Sequence, residues 1–190
     1  MSFALYEVPE NRPDARDLMD GLRKAVADAH TNNILMICST ADDGRNQDYS
    51  YPAKYDETIG IAACNAYGTL LKNATDTDAR YYVPGKNVNA GVVPFLSSDP
   101  EVSGSSAATA IAAGLASLTL SCHLFTGTAE FGRTQWRRDA VVKRFDDMKP
   151  RDAADGSRYI RLSRFCGQRS MTGARVNVET LIRDSFRLIT

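Results

Sequence analysis

Two uninterrupted apolar runs set the architecture of this chain. Residues 34–39 read ILMICS and residues 59–64 read IGIAAC. A strand with one wet face alternates apolar and polar residues. A run without alternation is a strand covered on both faces, the arrangement of parallel sheets flanked by helices. Ahead of the first run, residues 14–29 place Leu18, Leu22, Ala25, Val26 and Ala29 on one helical face, and Asp14 is a candidate cap. Helix, buried strand, turn-rich loop (TADDGRNQDYSYP) and buried strand together predict an α/β fold.

Further along, TLLK, YYVPG and GVVPF read as short strands and turns. Residues 105–125 read as a long helix apolar on most sides, expected to run through the interior. Residues 133–148 form a second, amphipathic helix whose Arg/Lys face in RRDAVVKR is expected to be solvated. RYIRLSRF and residues 178–189 read as a peripheral strand and a terminal helix. Residues 1–150 are expected to make the main domain and 151–190 a peripheral C-terminal extension.

Composition narrows the function. The 190 residues balance 23 basic against 23 acidic side chains, and no long basic run occurs, so no nucleic-acid partner is expected. No stretch reaches membrane-spanning length without polar interruption, and the N-terminus lacks the basic and apolar regions of a signal peptide. No membrane partner and a cytoplasmic location are expected. Four cysteines (Cys38, Cys64, Cys122, Cys166) and two histidines, with no CxxC pair, argue against a metal centre; the first three cysteines read as small core residues. No cofactor is expected. Asp76 and Asp78 in NATDTDAR lack the glycine and distal glutamate of a calcium loop.

The most apolar helix opens with SGSSAATAIAAG. A serine at a helix start is either a cap for a free N–H or a nucleophile whose backbone N–H helps hold an oxyanion. The residues resemble the serine motif of the subtilisin-like serine proteases, the subtilase family: Gly104, Ser105, Ser106, Ala108, Thr109, Ala113 and Gly114 match, with Ser105 for the usual threonine and Ala110 for the usual proline. Three other segments agree in order. ILMICSTADDG resembles the strand ending in Ala-Ala-Gly-Asn-x-Gly. Tyr51, Pro52, Ala53, Ala62, Ala63, Asn65 and Gly68 match the Tyr-Pro-Ala segment that follows. Val83-Pro84-Gly85 resembles the Ala-Pro-Gly turn. MSFA resembles the strand Met-Ser-Leu-Gly that pairs with bound peptide, with Ala4 where glycine is usual.

The resemblance implies a three-layer subtilisin-like sandwich with a largely parallel sheet, incomplete at its N-terminal side, and a serine endopeptidase acting on a peptide or protein substrate. It implies Ser106 as nucleophile and Asp42 at the oxyanion-hole position. Ser2, Phe3 and Ala4, with Ser39, Thr40 and Ala41, would line the substrate-binding wall. Asp42 stands where the family has Asn. An ionised Asp offers no donor there, and only a neutral carboxylic acid would donate a hydrogen bond. Loss of that donor costs about 10²- to 10³-fold in rate, a magnitude measured on subtilisin itself.

The family's catalytic Asp and His precede the MSFA-like strand, so neither is expected here and a missing N-terminal half becomes a candidate partner. His30 ends a helix that leads into a strand, which puts it at the N-terminal edge of the sheet, whereas α/β sites form at the C-terminal edge. His123 lies 17 residues down the helix from Ser106, about 25 Å at about 1.5 Å per residue. A general base works within about 3 Å of its proton. The chain alone is expected to be nearly silent as an enzyme. The rival expectations are a non-catalytic module that binds extended peptide by strand addition, and a truncated pseudoprotease.

Overall fold

The computed structural model describes residues 5–6, 13–44, 50–89, 91, 101–129, 132–150, 157–165, 182 and 186, and every structural statement concerns these. In chain order they form β1 (Leu5–Tyr6), α1 (Pro13–Thr31), β2 (Ile37–Ser39), β3 (Ser50–Tyr51), β4 (Ile59–Cys64), β5 (Tyr81–Pro84), β6 (Val88–Asn89), β7 (Glu101–Val102), α2 (Ser105–Thr126), α3 (Trp136–Asp147) and a 3₁₀ turn, Leu162–Arg164.

The centre is a parallel sheet in the order β2-β4-β5, with Ile37 opposite Ile59 and Ile61 opposite Tyr81. All six residues of β4 are buried, as a two-sided strand requires. The pleat sorts them by face. Ile37, Ile59, Ile61, Ala63, Tyr81 and Val83 join the cluster containing Ala108, Ala112 and Ala116 of α2 and Val141 and Phe145 of α3. Met36 and Cys38 point the other way, toward Val26 of α1 and Ala53. The result is three layers, helix on sheet on helix, as the apolar runs predict. Small antiparallel ribbons, β1 with β3 and β6 with β7, flank the sheet.

Three expectations need correction. Leu18 and Ala25 are exposed, so α1 buries only the later part of its apolar stripe, through Val26 with Leu22 and Ala29 packed beside it. Arg144 does not join a solvated face. Its guanidinium is buried, lies over the Phe186 ring at 4.3 Å and donates to the Phe165 carbonyl. α2 does not run wholly through the interior: Leu118, Leu124 and Phe125 are about half exposed, while Ala108, Ala112, Ala116 and Cys122 are buried. By length and composition α2 could cross a membrane, yet it packs along β2, β4, β5 and α3.

The C-terminal segment contributes to this body. Tyr159 bridges Tyr82 in parallel and Ile160 is fully buried in the main cluster. Cys38, Cys64 and Cys122 are buried, in keeping with the reading of them as small core residues; Cys166, most of GVVPF and most of residues 178–189 lie outside the described residues.

Candidate active site

The site forms where β2, β4 and β5 end and α2 begins. Gly85, just past β5, donates its N–H to the Cys64 carbonyl at the end of β4 (2.9 Å), and its own carbonyl accepts the Gly104 N–H (2.8 Å). A Cβ at Gly85 would sit 2.8 Å from the Gly104 oxygen, 2.9 Å from Ala108 Cβ and 3.1 Å from Ala63 Cβ. That crowding accounts for the small residues at the head of the helix. Only Gly85, Ala63 and Ala108 let α2 start directly on the strand ends.

Ser106 is exposed in the first turn of α2, at the C-terminal edge of the parallel sheet, and Ser105 beside it is fully buried. The helix is capped from a distance. Gly104 occupies the cap position with no side-chain bond of its own. The Ser105 N–H donates instead to Asp42 Oδ2 (2.8 Å), 63 residues upstream. The Ser105 hydroxyl donates to Asp42 Oδ1 (2.7 Å) and accepts the Ala63 N–H (3.1 Å). Neither serine is therefore a conventional side-chain cap; a carboxylate from the loop after β2 takes that role, favourably placed at the positive end of the helix dipole. Both Asp42 oxygens act as acceptors in this arrangement.

The structure thus brings Ser106 and Asp42 to one edge. Ser39, Thr40 and Ala41 lead directly into Asp42 but are buried, and Thr40 donates both its N–H and its hydroxyl to the Ile61 carbonyl. Ser2, Phe3 and Ala4 lie outside the described residues. Neither histidine approaches Ser106. His30 is in the last turn of α1, ahead of β2. His123 is buried near the far end of α2, its Nδ1 2.8 Å from Thr128 Oγ1 and its ring edge-on to Phe186. A cavity of about 540 Å³ lined by His123, Trp136 and Asp139, and another of about 420 Å³ lined by Gly60, Asp78 and Arg138, both lie away from Ser106 and Asp42.

Neighbouring polar groups serve the scaffold. Asn65 Oδ1 accepts the N–H groups of Tyr67 and Thr69, fixing the turn after β4, and Asp78 accepts the Ser50 N–H at 2.6 Å. Burial pushes the Cys64 thiol up to about 12, so it is no thiolate nucleophile at neutral pH. Reading the sequence missed the role of Ser105. The signal was its match to a hydroxyl position of the motif, but a hydroxyl linking two distant segments leaves no local pattern.

The arrangement is an α/β sandwich with a parallel central sheet and a serine at a helix start over the strand ends. The sequence profile of the subtilase family matches residues 9–140, and the chain belongs to that family. Among solved structures it is similar to the prenylagaramide maturation protease PagA (23% identity, TM-score 0.57, covering 75% of this chain and 54% of that one). It is likewise similar to the protease domain of PatA (21%, TM-score 0.58, covering 74% and 50%). A third is the PatG macrocyclase in complex with peptide (18%, TM-score 0.55, covering 66% and 37%). The chain spans about half the length of the first two. Among curated proteins none matches it by sequence.

Proposed function

We propose that this chain carries the nucleophile side of a subtilisin-like serine endopeptidase site and acts on peptide. Ser106 would attack a peptide carbonyl through its hydroxyl, and its backbone N–H, with residue 42 opposite, would face the developing oxyanion. The carrying observation is the placement of Ser106, exposed in the first turn of α2 at the C-terminal edge of the sheet, with its neighbour Ser105 tied to Asp42 by two hydrogen bonds. The family membership and the peptide-processing neighbours support the same reading. Ser39 at the end of β2, with Thr40 and Ala41 after it, is buried, so this segment would offer main chain rather than side chain to a bound peptide.

As this 190-residue chain the site is close to silent. A serine without a general base is a weak nucleophile, and the residual rate of such enzymes comes from binding and the oxyanion site. A complement bringing Asp and His would be its partner. Hydrolysis of a mixed peptide library by the purified chain tests this: the expected result is turnover indistinguishable from Ser106→Ala, and turnover typical of serine proteases would overturn the silence. One observation favours a second reading. A carboxylate where a donor is usual suits a module that binds extended peptide without cleaving it. Peptide affinity unchanged in Ser106→Ala, with no turnover, would select that reading.

A further inference from the structure

We infer that the Asp42 carboxylate is a built-in occupant of the anion position at the head of α2, and that it holds down the affinity of the Ser106 site for tetrahedral anions. This rests on the reading of Ser106 as an acyl-transfer hydroxyl. Helix starts attract anions through their free N–H groups and dipole. Here the protein supplies the anion itself. Oδ2 takes the Ser105 N–H at 2.8 Å and Oδ1 takes the Ser105 hydroxyl at 2.7 Å. The hydroxyl is a fixed donor, because its oxygen already receives the Ala63 N–H.

Room for the carboxylate is reserved by a missing side chain. A Cβ at Gly104 would lie 2.7 Å from Asp42 Oδ2, and its φ of +131° disfavours any L side chain. Gly104, Ser105, Ala63 and Asp42 therefore make one fitted unit, and Ser106 is the next residue on the same turn. An oxyanion formed on Ser106 must share the helix start with this negative charge. Two like charges at one site disfavour each other, the reverse of the donor set that speeds acyl transfer.

Phenylboronic acid probes this without a general base. The Ser106 oxygen bonds to boron, boron keeps both hydroxyls and becomes a tetrahedral anion, and the serine proton passes to buffer. Tetrahedral boron is titrated by boron NMR against the whole chain and its variants. Asp42→Asn keeps an acceptor for the Ser105 N–H and removes the charge; it is expected to bind at least about tenfold tighter than the unaltered protein. Asp42→Ser is a second uncharged variant with the same expectation. Ser105→Ala keeps the charge and loosens the clamp; it is expected to bind no tighter. Equal affinity in the uncharged variants and the unaltered protein overturns the inference. So does equal tightening in Ser105→Ala, which would make loosening rather than charge the cause. Absence of Ser106-dependent tetrahedral boron in every variant refutes instead the underlying reading of Ser106.

Discussion

At the scale of single residues, small side chains do the positioning and a few polar pairs fasten it. Gly85 is the case at the site, since its missing Cβ lets the ends of β4 and β5 meet the first turn of α2. Gly85→Ala is predicted to cost about 1–3 kcal/mol by overpacking against backbone. Urea unfolding measures it, and a change within about 0.5 kcal/mol would contradict the close approach. At the rim of the sheet, Arg23 meets Glu57 at 2.6 Å, and the hydrogen bond holds the Glu57 carboxyl below its ordinary value. A depressed folded pKa gives stability that is present above the unfolded value, about 4.5, and lost as pH falls through the folded one. Arg23 is half exposed, so the pair is worth under about 1 kcal/mol. The stability gap between the unaltered protein and Glu57→Gln is predicted to be present at pH 7 and to shrink as the pH falls below about 4.5. A gap unchanged at pH 3 would refute the pairing.

At the scale of elements, α2 was legible in extent and the least legible in orientation. Its bounds, Ser105–Thr126, follow the sequence reading within a residue. The face it buries does not, because no charged residue marks a solvent side between Ser105 and Thr126. Packing decided instead: Ala108, Ala112 and Ala116 are buried in the main cluster with Ile111, Leu115 and Leu120 packed against it, and Leu118, Leu124 and Phe125 are left about half exposed. Ala112→Leu is predicted to destabilise by about 1–3 kcal/mol, and Leu118→Ala to stay within about 0.5 kcal/mol. Thermal unfolding of the two variants checks this, and the reverse order would mean the wrong face has been assigned. Strands were easier. Residues 59–64 are an unbroken apolar run and form β4 over that span, whereas only 37–39 of the run 34–39 pair as strand, since pairing needs a partner as well as a pattern.

For the whole molecule, the fold could be read because its evidence is distributed: two buried runs, a small-residue helix and four segments in family order. The site was readable only as positions. Ser106 and Asp42 could be placed by resemblance, but the link between Asp42 and Ser105 crosses 63 residues and depends on the finished fold. The molecule that results belongs to the subtilase family and spans about half the length of its solved maturation-protease neighbours. Its two histidines stand at the far end of α2 and at the opposite edge of the sheet.

The central claim is that Ser106 is a hydroxyl placed for acyl chemistry and unassisted by an imidazole within this chain. A fluorophosphonate reagent tests it most directly: the serine oxygen bonds to phosphorus, the P–F bond breaks, and fluoride and the hydroxyl proton pass to solvent. After exhaustive incubation, peptide mapping by mass spectrometry is predicted to find the adduct on Ser106 ahead of every other serine, absent in Ser106→Ala, and formed orders of magnitude more slowly than with a complete serine protease. Labelling at ordinary protease rates, or an adduct spread over other serines with Ser106 untouched, would contradict it.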